Sequence, residues 1–131
     1  MVLTFAQMET QEISKANPIS ATDALAVLIE DPNALVVDVR DSAEMAATGI
    51  SPRAIPAPGR AVAWMADLES EYRSQELQDR GRRIFTTCGG APSYRGAAAA
   101  NVLTAMGFQN VQFIDGGMAA LIAAGSSTEQ P

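Results

Sequence analysis

The chain has 131 residues, with nine basic against fifteen acidic side chains for a net charge of -6, one cysteine and no histidine. That length suits one domain and 47% apolar residues can fill a core, while an acidic balance with Lys15 as the only lysine opposes a nucleic-acid partner. Without histidine, Ser-His-Asp and Cys-His catalysis are excluded, a thiolate zinc site lacks ligands, and one cysteine makes no internal disulfide.

Residues 1–18 are polar and aperiodic and read as a frayed arm or a lone edge segment ending at Pro18. Ser20, three residues before Asp23, opens a helix whose Leu25, Leu28 and Ile29 fall at helical spacing, and Asp31-Pro32-Asn33 ends it. Ala34 to Val39 is a continuous apolar run bounded by turn residues, the pattern of a parallel-sheet strand buried on both faces. Ser42 is expected to cap a short helix to Thr48, stopped by Gly49, and three prolines between residues 50 and 60 predict loop with one short strand. A helix is expected from about Arg60 to Leu68 with Val62, Trp64 and Met65 as its apolar face, followed by a solvated acidic surface around Glu69, Glu71, Glu76 and Asp79.

Arg83 to Thr87 reads as a strand leading into Cys88-Gly-Gly-Ala-Pro-Ser-Tyr-Arg95, and Gly96 to Met106 as a helix with Ala99, Val102, Leu103 and Met106 on one face. A strand at Val111–Ile114, a turn at Asp115-Gly116-Gly117 and a helix from Met118 to Ala124, stopped by Gly125, complete the order. The alternation of helices and strands predicts an α/β layered domain over residues 19–125, with an arm at 1–18 and a tail at 126–131. The chain carries no signal-peptide pattern and no run of about 18 apolar residues, so no membrane partner and a cytoplasmic location are expected.

The informative constellation is Cys88 at the carboxyl end of a strand, where ligands gather in open α/β sheets. Gly89 and Gly90 permit unusual backbone angles, so successive N–H groups can form an anion-binding concavity, reinforced by the positive end of the following helix. Such a cradle favours thiolate over thiol and a nucleophilic role for Cys88. The binding residues expected around it are Gly89, Gly90, Ala91, Ser93, Tyr94 and Arg95. A cation in the first turn of a helix opposes the dipole at a cost of about 0.3–1 kcal/mol, so Arg95 is expected to face an anionic substrate. Asp38, inside an apolar strand, needs a partner and is expected to pair with loop N–H groups or with Arg40, both as supporting residues.

At these residues the chain resembles the rhodanese-like family of single-domain sulfurtransferases. The resemblance is carried by Val36-Val-Asp-Val-Arg40 with Glu44 and Gly49, by Pro52-Arg-Ala-Ile55 and Pro58, by the strand ending at Cys88, and by Met106-Gly-Phe108, Asn110-Val111 and Asp115-Gly-Gly-Met118. It implies a three-layer α/β domain with a parallel, roughly five-stranded sheet flanked by helices. It further implies transfer of sulfane sulfur from a small anionic donor such as thiosulfate to a thiophilic acceptor through a cysteine persulfide, with no metal or organic cofactor. The family loop reads C-x-x-G-x-R-S, whereas here the arginine comes two residues later and Pro92, lacking an N–H, stands inside the loop. These departures imply a wider or differently shaped pocket. A non-catalytic rhodanese-like module that binds a protein partner is the alternative. A thiol-dependent phosphatase or arsenate reductase is a third reading, although its C-x5-R spacing is one residue shorter than Cys88 to Arg95.

Overall fold

The computed structural model describes residues 2–90 and 93–131. A five-stranded, wholly parallel sheet has the order β1-β5-β4-β2-β3, formed by Pro18–Ile19 (β1), Leu35–Asp38 (β2), Ala54–Pro56 (β3), Ile84–Thr87 (β4) and Val111–Ile114 (β5). The register sets Asp38 beside Thr87, so β2 and β4 end side by side. The chain segments that follow them, starting at Val39 and Cys88, therefore emerge together at the carboxyl end of the sheet.

Side-chain alternation along the strands divides the core. Leu35, Val37, Val39, Ile84, Val111 and Phe113 pack on one face against α4 (Ala61–Ala66) and α5 (Arg95–Ala105). Val36, Phe85 and Ile114 pack on the other against α2 (Ala21–Glu30) and α6 (Gly117–Ala123). This is the expected three-layer arrangement. β2 and β4 are buried on both faces along their whole length, with Asp38, Thr86 and Thr87 as their only polar residues. The acidic residues Glu69, Glu71, Glu76 and Asp79 lie at the surface as expected.

The structure corrects four local expectations. Residues 5–15, expected as part of an aperiodic arm, form an α-helix, α1 (Phe5–Lys15), which packs against α5. Its start is specified by a capping box: Gln7 N–H donates to Thr4 Oγ1 at 3.1 Å, and Thr4 N–H donates to Gln7 Oε1 at 2.9 Å. No α1 residue is fully buried, and its apolar side chains Phe5, Met8 and Ile13 all stay exposed. β1 is a true edge strand, paired with β5 through Pro18 and Ile19. The helix expected to reach Leu68 stops at Ala66, burying Val62 and Ala66 one turn apart and leaving Trp64 47% exposed. The cap of α3 (Ser42–Thr48) is Asp41, not Ser42, because Glu44 at its third position returns to accept the Asp41 N–H at 3.2 Å. The C-terminal residues are also fastened, through paired backbone bonds of 2.8 and 2.9 Å between Ile50 and Glu129.

Candidate active site

Cys88 follows directly on β4 and is 6% exposed. Its side chain belongs to the α4–α5 face of the core and also lines a cavity of about 200 Å³, bordered by Gly90, Ser93 and Tyr94 of its own loop, by Asp115, and by Glu9 and Ile13 of α1. Cys88 is thus a buried residue that borders this cavity. Ala91 and Pro92, expected in this loop, lie outside the described residues.

Two supports hold the loop, one on each side. The first is the amino end of α6: Met118 N–H donates to the Cys88 carbonyl at 2.6 Å and Ala119 N–H to the Gly89 carbonyl at 3.2 Å. Close approach here requires glycine at 117, where φ is +60° and an added Cβ would lie 2.4 Å from the Cys88 carbonyl oxygen and 2.8 Å from Gly90 N. In a trans peptide the C=O and the next N–H point in opposite directions, so the N–H groups of Gly89 and Gly90 face away from α6. Among the described residues no acceptor meets the N–H groups of Gly89, Gly90, Ser93 and Tyr94, nor those of Gly96 and Ala97 in the first turn of α5. Clustered donors with no acceptor among the described residues, beside a helix amino end, suit an anion.

The second support is a charged cluster from β2 and α3. Asp38 and Arg40 are both buried, and Asp38 takes the Arg40 guanidinium at 2.7 Å and the Arg40 N–H at 3.1 Å. Arg40 also donates to Thr48 Oγ1 at 2.6 Å and to the Gly49 carbonyl at 2.8 Å. The expected Asp38–Arg40 pairing is therefore present, and every charge in it is answered locally. Glu44 completes the cluster by accepting two bonds from Arg95, at 2.9 and 3.1 Å. Gly89 rests on this group, since a Cβ there would sit 3.2 Å from Glu44 Oε2.

The anion that offsets Arg95 in the first turn of α5 is thus Glu44 of the same chain. Hydrogen bonds from Arg95, first of all, hold the Glu44 carboxyl down at about 2, against the raising effect of burial and with help from the Asp41 N–H and the Arg95 and Arg40 charges. Reciprocally, the Glu44 hydrogen bonds raise the Arg95 guanidinium above its usual range; burial opposes this, and the nearby charges of Glu44, Cys88 and Asp41 add to it. Arg95 borders a different cavity, about 400 Å³ between α4 and α5, rather than the one that Cys88 lines. Glu44 is the site residue that the sequence reading passed over, although it sits within the quoted β2–α3 motif. Near the carboxyl end of β4, Thr86 Oγ1 donates to the Gly96 carbonyl at 2.6 Å and ties α5 to the strand. Gly96 in turn lies against the cysteine, an added Cβ there falling 3.6 Å from Cys88 Sγ.

A family model for the rhodanese-like domain matches residues 21–124. The chain belongs to the rhodanese-like family. No curated protein matches it. Among solved structures it is similar to a protein of unknown function from Rhodopseudomonas palustris described as a possible tyrosine phosphatase, with 25% identity, a TM-score of 0.86, and coverage of 98% of this chain and 96% of that one. It shares its fold with the polysulfide-sulfur transferase homodimer of Wolinella succinogenes, at 22% identity and TM-score 0.74 over 97% of this chain and 88% of that one. It shares its fold also with a thiosulfate sulfurtransferase from Pseudomonas aeruginosa, at 22% identity and TM-score 0.72 over 93% of this chain but only 22% of that one. In this rhodanese-like chain no helix among the described residues is long and apolar enough to cross a membrane, and none of their His, Cys, Asp and Glu side chains form a group able to hold a metal ion.

Proposed function

We propose that this chain is a sulfurtransferase that carries sulfane sulfur on Cys88. The observation that carries the reading is the placement of one buried cysteine at the border of a cavity, on a loop whose Cys88 and Gly89 carbonyls accept from α6 while, among the described residues, no acceptor meets its N–H groups. In the reaction the Cys88 thiolate attacks the outer sulfur of a donor. With thiosulfate, the sulfur–sulfur bond breaks and its electron pair leaves with sulfite, so that Cys88 holds a persulfide anion. A thiophile such as cyanide then takes that sulfur, and the electron pair of the Cys–S bond returns to Cys88. The negative sulfur present at every stage is what a cluster of backbone donors and the dipole of α5 stabilise, by typically 0.3–1 kcal/mol for the dipole alone, and no imidazole is needed. Arg95 and Glu44 act in this scheme as positioning residues, bracing the loop on the β2–α3 side.

Turnover from thiosulfate or an organic persulfide to cyanide, followed as thiocyanate, tests the proposal. Wild type should form thiocyanate and Cys88→Ser none; equal rates in the two would refute it. The Rhodopseudomonas palustris likeness raises phosphate-ester hydrolysis as a second reading, in which an arginine would grip the phosphate. Here the two Glu44 hydrogen bonds already occupy the Arg95 guanidinium, which favours sulfur transfer. Hydrolysis of an aryl phosphate by wild type but not by Cys88→Ser would reverse that preference.

A further inference from the structure

The cavity at Cys88 has one wall that lies outside the rhodanese-like segment. The family match begins at residue 21, whereas Glu9 and Ile13, which line the cavity, belong to α1. α1 is held across this position by few contacts. The Asn101 side-chain amide of α5 donates to the Glu12 carbonyl at 2.9 Å and to Glu12 Oε1 at 3.0 Å. Phe5 stacks on Tyr94, itself a cavity residue, with ring centroids 5.4 Å apart and a tilt of 43°. These contacts hold the helix in place while leaving Glu9 only half-buried, at the cavity wall.

The charges around the cavity are one-sided. Among the described residues that line it, Glu9 and Asp115 are acidic and none is basic. The cation that follows the loop, Arg95 in the first turn of α5, is bound to Glu44 and borders the neighbouring cavity. The wall of the cavity thus repels negative charge. A donor of charge -2, such as thiosulfate, meets twice the repulsion of a singly charged one, and a donor bearing an ammonium group is drawn in.

We propose that α1 sets the donor selectivity of the cysteine site, with Glu9 disfavouring dianionic donors and favouring low-molecular-weight persulfides that carry an ammonium group near the sulfane sulfur. This rests on the reading of Cys88 as the sulfur carrier. With such a donor, Cys88 sulfur bonds to the outer sulfur and the donor's S–S bond breaks, its electron pair passing to the departing thiolate. The proton of the outer sulfur moves to that thiolate, which leaves a neutral thiol and the Cys88 persulfide anion. Glu9 is a positioning residue for the incoming charge and takes no part in these bonds.

The test compares single-turnover sulfur loading of the full chain, read by intact mass, with thiosulfate and with cysteamine persulfide as donors at low ionic strength. The rate ratio of cysteamine persulfide to thiosulfate should fall on the order of fivefold in Glu9→Gln, and the wild-type ratio should fall as salt screens the carboxylates. Glu30→Gln, an equal change of net charge on α2 away from the cavity, should keep the wild-type ratio. An unchanged ratio in Glu9→Gln, or an equal shift in Glu30→Gln, overturns the assignment, and the ratio removes any general loss of activity from the comparison. Failure of both donors to load Cys88 in any variant would overturn the sulfur-transfer reading and this inference with it. Loading by both donors at an unchanged ratio overturns the selectivity alone.

Discussion

Gly117 and Gly59 have nearly the same backbone angle, φ +60° and +62°, but opposite surroundings, and substituting alanine at each isolates what the cysteine loop owes to close packing. At Gly59 a Cβ meets nothing within 4 Å, so Gly59→Ala should cost only the left-handed strain of a non-glycine residue, about 1–2 kcal/mol. At Gly117 the same atom would fall 2.4 Å from the Cys88 carbonyl oxygen and 2.9 Å from its carbon, both backbone atoms with little room to yield. Relief requires the loop and α6 to separate, which gives up the 2.6 Å and 3.2 Å bonds from Met118 and Ala119. Two hydrogen bonds at about 1 kcal/mol each, with at least 1 kcal/mol for disturbed packing, place Gly117→Ala about 3 kcal/mol below Gly59→Ala. That is a large share of the roughly 5–15 kcal/mol of a typical domain. Urea unfolding followed by circular dichroism measures the difference, and sulfur loading of Cys88 should be lost in Gly117→Ala and kept in Gly59→Ala. Gly117→Ala within about 1 kcal/mol of Gly59→Ala, with loading intact, would refute the claim that α6 clamps the loop.

Asp38→Ala leaves the buried Arg40 guanidinium without its charge partner and should cost about 3–5 kcal/mol in the same unfolding measurement. Glu44 is held at about 2 in the folded chain against an ordinary value of 4.5. Its contribution to stability is therefore present above pH 4.5 and lost as pH falls toward 2, and Glu44→Gln should flatten that part of the stability–pH curve. A variant curve as steep as wild type between those values would count against the Glu44–Arg95 pairing. Gly96→Ala places a methyl in ordinary contact with Cys88 Sγ, 3.6 Å away. It should leave thermal stability within about 1 kcal/mol of wild type, alanine being the better helix former, while slowing sulfur loading severalfold.

The parts of the fold legible from sequence were those that bury themselves on both sides. β2 announces itself as an apolar run ended by Asp38, and β4 and β5 as short segments of branched and aromatic residues, because helices cover both faces of the sheet. Cys88 was legible for the same reason, as the residue at which such a run ends in glycines. α1 was not read, because its few large apolar residues, Phe5, Met8 and Ile13, stand among polar ones and stay exposed; the Thr4 to Gln7 capping spacing was a further signal, which hydrophobic periodicity does not see. The partner of Arg95 was hidden differently. Glu44 lies 51 positions away and reaches Arg95 only because β2 and β4 are neighbours in the sheet, a fact of topology rather than of local pattern. The carbonyl bonds to α6 join the Asp115-Gly116-Gly117 turn to the cysteine loop in the same non-local way, so a motif that reads as a simple turn is also a support of the site.

The most direct test is to locate the transferred sulfur. After exposure to donor and removal of small molecules, intact and peptide mass spectra should show one added sulfur atom on the Cys88 peptide, removable by cyanide and missing in Cys88→Ser. Wild-type protein that gains no sulfur from either thiosulfate or an organic persulfide, or sulfur that is found on Cys88→Ser as well, would contradict the account.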